Sequence, residues 1–227
     1  MAVNSDAGEF LDVSFGQKLT ALQVMRDAPV IPVIVLTDTV QAVLLARALV
    51  AGGIRMLEVT LRTPQALACI EAIARDVPEA VVGAGTVRSA ADAQACAMAG
   101  ARFAVSPGYT HAVGQACRDA GIPLLPGVAT SSEIMAAQED GLSELKFFPA
   151  MQAGGPAMLK AWSGPFSNVN FCPTGGVTIE NAPAFLALSN VVCVGGSWLT
   201  PADSLAYSNW AQITALAFQA GQLQRHC

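Results

Sequence analysis

Histidine is nearly missing from these 227 residues: only His111 and His226 occur, far apart in the chain. A catalytic zinc centre gathers two or three histidine ligands around an open position, so the scarcity disfavours a metal-dependent hydrolase or aldolase and most histidine triads. Lysine is almost as rare, at positions 18, 146 and 160. Charged residues make up 13% of the chain against 53% hydrophobic ones, a charge density low enough to suggest burial between subunits. The formal charge is −5 and the basic residues form no run, which argues against a nucleic-acid face. No apolar stretch reaches the roughly 18 residues of a membrane span. The six cysteines show no CxxC spacing, so free, buried thiols are expected rather than a disulfide frame. The first ten residues carry Asp6 and Glu9 and lack the basic start and apolar core of a secretory signal, making the cytoplasm the expected location.

What is present is a repeated alternation. Short apolar segments at 30–35, 55–60, 80–83, 103–106, 123–126, 144–148, 169–172 and 191–194 read as strands. Alanine-rich stretches at 38–51, 64–75, 89–99, 110–120, 130–139, 155–161 and 179–188 read as helices, with a longer final helix over about 202–220. Asp38, Thr63, Ser89, Thr110 and Ser131 are plausible caps or first-turn residues. Eight strands alternating with helices predict an α/β (β/α)8 TIM barrel over about 29–223, preceded by a short helix at about 16–26, as one domain spanning 1–227. An open doubly wound sheet is the competing layout. A dinucleotide-binding version would show a glycine-rich first turn, and 35–41 contain no glycine.

Lys146 sits inside Leu145-Lys146-Phe147-Phe148-Pro149. An ammonium among apolar groups is costly unless it is paired or deprotonated, and a deprotonated lysine is a nucleophile able to form a Schiff base. The alternative is a strand-end lysine whose stem lies on apolar surface while its head reaches water. In the second strand, Met56, Glu58 and Thr60 share one face and Leu57 and Val59 the other, which turns Glu58 toward a central cavity. A simple Glu58–Arg62 pair is the competing reading. Arg62 follows at the expected mouth, where a guanidinium can hold a carboxylate through two hydrogen bonds. Gly85-Thr86 allows close ligand approach, and Pro107 stiffens a turn walling the mouth. The pairs Gly175-Gly176 and Gly195-Gly196, with Ser197, follow the last two strands; exposed amides and a helix start behind them predict a phosphate cradle. Tight turns would explain either pair alone.

At Glu58-Val59-Thr60-Leu61-Arg62-Thr63, Gly83-Ala84-Gly85-Thr86-Val87, Leu145-Lys146-Phe147-Phe148-Pro149-Ala150, Pro173-Thr174-Gly175-Gly176 and Val194-Gly195-Gly196-Ser197-Trp198, the sequence resembles the 2-keto-3-deoxy-6-phosphogluconate aldolase family. The likeness runs in order from about residue 17 to 223. It implies a class I aldolase on a (β/α)8 barrel, assembled as a homotrimer, with no metal or organic cofactor. Such enzymes split the keto-deoxy-phosphogluconate into pyruvate and glyceraldehyde 3-phosphate, and many also act on 4-hydroxy-2-oxoglutarate. The resemblance makes Lys146 the Schiff-base lysine and Glu58 the general acid/base. Arg62 and Thr86 would hold the pyruvate carboxylate, Pro107 and Phe148 would contact substrate, Thr174 would touch the sugar-acid portion, and Gly175, Gly176, Gly196 and Ser197 would cradle phosphate. The galactonate-series aldolases are similar but often carry valine at the position of Thr174. Two departures stand out: Met151, where the family often has glutamate, and Leu36-Thr37 after the first strand. A barrel with another phosphate-dependent activity, or a catalytically silent one, is the remaining alternative.

Overall fold

The computed structural model describes residues 18–225. Nine short strands, all parallel where they pair, alternate with helices. They are β1 (Val30–Ile34), β2 (Met56–Thr60), β3 (Val81–Gly85), β4 (Ala104–Val105), β5 (Leu124–Leu125), β6 (Gly127–Val128), β7 (Glu144–Phe147), β8 (Asn170–Pro173) and β9 (Val194–Gly196). One ladder runs β5-β4-β3-β2-β1-β9 and a second runs β6-β7-β8. Pro126 separates β5 from β6, so these two are the halves of one barrel strand: the first pairs with β4 and the second with β7. Isolated bridges Phe171↔Val191 and Thr174↔Gly195 join β8 to β9 and complete the circle. Eight strand positions in a parallel ring, wrapped by helices, make a (β/α)8 barrel.

Alternation along each strand divides two cores. Val30, Ile34, Leu57, Val59, Leu145 and Phe147 face outward into the layer beneath the helices. Ile31, Met56, Val81, Phe103, Val105, Leu125, Cys172 and Cys193 fill the barrel interior. Helix α1 (Ala21–Arg26) closes the interior at the end where the strands begin, because Leu19, Val24 and Met25 join that inner cluster. Fully burying Val24 and Met25 contributes roughly 1.5–3 kcal/mol each. The helix starts at Ala21 rather than near 16: Thr20 Oγ1 accepts from the Gln23 amide at 3.2 Å while Gln23 Oε1 accepts from the Thr20 amide at 2.8 Å. This reciprocal cap ends the upstream chain's access to the helix. Positions 16 and 17 lie outside the described residues.

The outer helices are α2 (Thr39–Ala51), α3 (Ala66–Asp76), α4 (Ala90–Met98), α5 (His111–Asp119), α6 (Ser131–Glu139), α7 (Gly155–Trp162), α8 (Ala182–Leu186), α9 (Ala202–Ala206) and α10 (Trp210–Gly221). Asp38, Ser89 and Thr110 cap α2, α4 and α5 as expected. Thr130 caps α6, leaving Ser131 in its first turn, and Thr63 instead donates to the Leu36 carbonyl. The expected final helix is two: Ser208 takes a left-handed φ of 52°, and Asn209 recaps the chain by accepting from the Gln212 amide. The expected helix over 179–188 shrinks to α8, whose Pro183 lies in the first turn. Strand β3 runs two residues further than the expected end, through Gly85, because it pairs with β2 up to Thr60. Strand β9 lies later than 191–194, with Val191 making only a bridge.

The five cysteines among the described residues are buried and free. Burial pushes the Cys96 thiol up to about 12 and the Cys117 thiol to about 11, which keeps both protonated and inert near neutrality. Among the described residues no helix is long and apolar enough to cross a membrane.

Gly83 sits level with Glu58 across the β2–β3 ladder, and a Cβ there would fall about on the Phe103 ring, 2.5 Å from its ring-edge carbons. Gly83→Ala is therefore expected to destabilise the fold by about 1–3 kcal/mol through overpacking. Thermal unfolding checks this, and a Tm equal to the parent's contradicts it.

Candidate active site

Strand β7 turns Leu145 and Phe147 outward, so Lys146 between them points into the barrel. The lysine is only 6% exposed, which rules out a head group reaching bulk water. Its Nζ lies 3.4 Å from Oε1 of Glu58, whose side chain is 3% exposed. It also stands 5.0 Å from the centre of the Phe148 ring, close enough for a charged amine to be attracted by the aromatic face. Glu58 thus pairs with Lys146 across the cavity rather than with Arg62.

Room for that carboxylate comes from Gly85: a Cβ at this position would collide with Oε1 and lie 2.7 Å from Cγ of Glu58. The next residue, Thr86, holds a φ of 62°, a left-handed conformation rare for a β-branched side chain and worth about 1–3 kcal/mol of strain. Such strain persists where neighbouring structure imposes it, most often at ligand sites. Arg62 leaves the end of β2 and donates from Nε to Thr60 Oγ1 at 3.1 Å. Among the described residues no carboxylate pairs with its guanidinium.

These groups bound a cavity of about 190 Å³ that also touches Val33, Pro107, Phe148 and Thr174. Pro107 can approach because Gly127 lies beneath it with no Cβ. A second cavity of about 170 Å³ shares Val33, Arg62, Phe148 and Thr174 as a common wall and is otherwise lined by Gly175, Gly176, Val177, Gly195, Gly196 and Ser197. All eleven residues to which the resemblance gave a role line one of these two adjoining spaces. A larger groove, about 450 Å³ on the outer faces of α2 and α3, shares no residue with them. Among the described residues no cluster of three metal-ligating side chains occurs.

The glycine-lined space is assembled from three loops. Gly175 and Gly176 have φ values of 102° and 72°, which L side chains rarely adopt. Ala150 N–H donates to the Thr174 carbonyl at 2.8 Å and Met151 N–H to that of Gly175 at 3.1 Å, tying the segment after the cis Phe148–Pro149 bond to this turn. Asn181 donates from Nδ2 to the Gly176 carbonyl and accepts the Thr178 amide, holding the turn from behind. A Cβ at Gly195 would strike Thr174, and one at Gly196 would strike the Trp198 ring. The expected helix start directly behind each glycine pair is absent: α8 begins only at Ala182 and α9 at Ala202, so any anion held here would rely on the turn amides and Ser197. Met151 lines neither cavity; it packs on Gly176 at the rim and remains 43% exposed.

Sequence reasoning gave no site role to Thr60, Val33, Val177 or Asn181. Thr60 was within reach, since it shares the Glu58 face by simple alternation. Asn181 had no sequence signal, because its contact with Gly176 is a property of the loop's path. Chemically, the arrangement offers an amine able to add to a carbonyl, a carboxylate beside it able to move a proton, a guanidinium to one side, and small-residue turns beyond.

The family described as KDPG and KHG aldolase matches residues 22–216. The 2-dehydro-3-deoxy-phosphogluconate aldolase of Dickeya dadantii (strain 3937) is 49% identical over 203 residues, 89% of this chain and 95% of that protein. The KHG/KDPG aldolase of Escherichia coli (strain K12) is 50% identical over the same shares of each chain. A crystal structure of KDPG aldolase from Legionella pneumophila, with pyruvate captured at low pH as a covalent carbinolamine intermediate, superposes with a TM-score of 0.88 at 46% identity, covering 91% of this chain and 100% of that one. An amine buried against a carboxylate, at the bottom of a barrel cavity that opens onto a glycine turn, is thus met in a chain that belongs to the KDPG and KHG aldolase family.

Proposed function

We propose that this protein is a class I aldolase that cleaves 2-dehydro-3-deoxy-6-phosphogluconate to pyruvate and D-glyceraldehyde 3-phosphate, and also 4-hydroxy-2-oxoglutarate to pyruvate and glyoxylate. The observation that carries this reading is the Lys146 Nζ held 3.4 Å from Glu58 Oε1, both side chains buried, in a cavity inside the barrel. Family membership and the two connected spaces support it: one suits an α-keto acid and the other an anionic tail.

In the proposed cycle, Lys146 passes a proton to Glu58 and the freed amine adds to the C2 carbonyl; Glu58 returns that proton as the C2 oxygen departs as water, leaving a protonated imine. Its nitrogen accepts the electron pair of the C3–C4 bond as that bond breaks. Glu58, directly or through a water, takes the C4 hydroxyl proton as the aldehyde forms, and later returns a proton to C3 of the enamine. Addition of water to the resulting imine frees pyruvate and regenerates the amine. The imine nitrogen serves as electron sink, so the cycle calls for no cofactor. Arg62 and Thr86 hold the keto-acid carboxylate, Pro107 and Phe148 wall the reacting carbons, Thr174 meets the hydroxylated middle, and Gly175, Gly176, Gly196 and Ser197 receive the phosphate. The substrate carries charge at both ends while the protein is acidic overall, so the attraction must be local, from Arg62 and oriented amides.

We further propose that residues 1–227 act as one barrel domain, in the cytoplasm, as a homotrimer. The exposed apolar side chains Val35, Val40 and Leu44, together with the low charge density, supply surface suited to subunit contact.

Borohydride reduction with labelled pyruvate is expected to place a covalent adduct on Lys146, located by peptide mass mapping, and Lys146→Ala is expected to lose both adduct and turnover. A wild-type protein left unlabelled, or an alanine variant that still turns over, overturns the proposal. Glu58→Gln is expected to lower kcat by about 10²- to 10⁴-fold as proton transfer is lost; unchanged kcat removes its assigned role. Assayed side by side, the gluconate-series substrate should be cleaved faster than its galactonate C4 epimer, and the reverse order assigns the enzyme to the other series.

A further inference from the structure

Arg62 is anchored by a hydroxyl that none of the assigned substrate contacts includes. Thr60, the last residue of β2, is 1% exposed and lines the cavity that holds Lys146. Its Oγ1 donates to the Ile34 carbonyl at 2.8 Å, and accepts from Arg62 Nε at 3.1 Å. A hydroxyl has a single proton. With that proton committed to Ile34, the side of Oγ1 that meets Arg62 can only accept, so the relay runs in one direction: Nε–H to hydroxyl, hydroxyl to carbonyl. The threonine methyl restricts χ1, which keeps Oγ1 in place without a further partner.

We propose that Thr60 is the positioning residue for Arg62, fixing how the guanidinium meets the substrate carboxylate. This rests on the reading of Arg62 as the keto-acid clamp. A guanidinium can grip a carboxylate through Nε together with one Nη, or through its two Nη groups. Occupation of Nε by Thr60 removes the first mode and leaves the second. The carboxylate is then held end-on, which sets the direction from which the neighbouring carbonyl carbon faces Lys146. A strand-end hydroxyl that merely tied β1 to β2 would have no such effect on ligand charge or orientation.

The test is reductive trapping on the full chain, read as the pyruvate concentration giving half-maximal adduct formation at Lys146. Thr60→Val keeps the shape and removes the acceptor; it should raise that concentration about tenfold while the maximal trapping rate changes less than about threefold, as befits one lost hydrogen bond to a charged group. Thr60→Ser should recover half-saturation to within about threefold of wild type. In an Arg62→Ala background Thr60→Val should add nothing, and with methyl pyruvate, which lacks the carboxylate charge, it should have no effect. Thr60→Ala supplies the same comparison if the valine variant does not fold. Unaltered half-saturation in the valine or alanine variant overturns the proposal while leaving the aldolase reading intact. So does an equal loss with methyl pyruvate, or a loss that adds to that of Arg62→Ala. A wild-type protein that traps no pyruvate removes the clamp and this role together.

Discussion

The contact between the Lys146 amine and the Glu58 carboxylate is the constraint around which the barrel is organised. Each group is almost wholly buried, and either one alone would be an uncompensated charge costing about 3–5 kcal/mol. Together they largely offset each other's desolvation, and such pairs contribute little net stability compared with apolar packing. On the proposed chemistry, their presence in a cavity rather than in packed core is a feature of reactivity. Strand alternation makes it possible: Leu145 and Phe147 anchor β7 on one side, Leu57 and Val59 anchor β2 on the other, and the polar residues between them are forced inward.

Space around the pair is created by what is left out. Gly85 yields its side-chain volume to Glu58, Gly195 yields to Thr174, and Gly127 lets Pro107 come close. Thr86 pushes the other way, since a β-branched residue at φ 62° must be held there by its surroundings. Pro126 interrupts β5 and β6 at the level where β7 brings up Lys146: the Lys146 amide donates to the Pro126 carbonyl at 2.8 Å. A proline has no amide to give the ladder, so the strand changes partner there from β4 to β7.

Much of this was legible in the chain because two periodicities carry it. The alternation of Met56, Glu58 and Thr60 against Leu57 and Val59 points a carboxylate into a barrel, whereas Lys146 stands out by its apolar neighbours, which leave open whether its head reaches water. Caps at Asp38, Ser89 and Thr110 read directly from short oxygen side chains. Less legible were features set by tertiary position. The break between α9 and α10 depends on a left-handed Ser208, a conformation the residue type does not advertise. The strands around 81–85 and 194–196 extend into glycine because neighbouring strands supply the pairing, against glycine's own poor propensity. Asn181 reaches Gly176 only through the path of its loop, and the helix starts expected behind the glycine pairs gave way to longer turns.

Helix α1 has a consequence for traffic. Leu19, Val24 and Met25 stopper the lower end of the barrel, and the space around Lys146 adjoins the glycine-lined one at the rim where Thr174 stands. On the proposed chemistry the keto-acid half stays covalently tethered at the dead end while the aldehyde half lies nearer the exit. Departure is then ordered, aldehyde first, because the pyruvate half remains bonded to the amine, and in the synthetic direction pyruvate enters before its aldehyde partner.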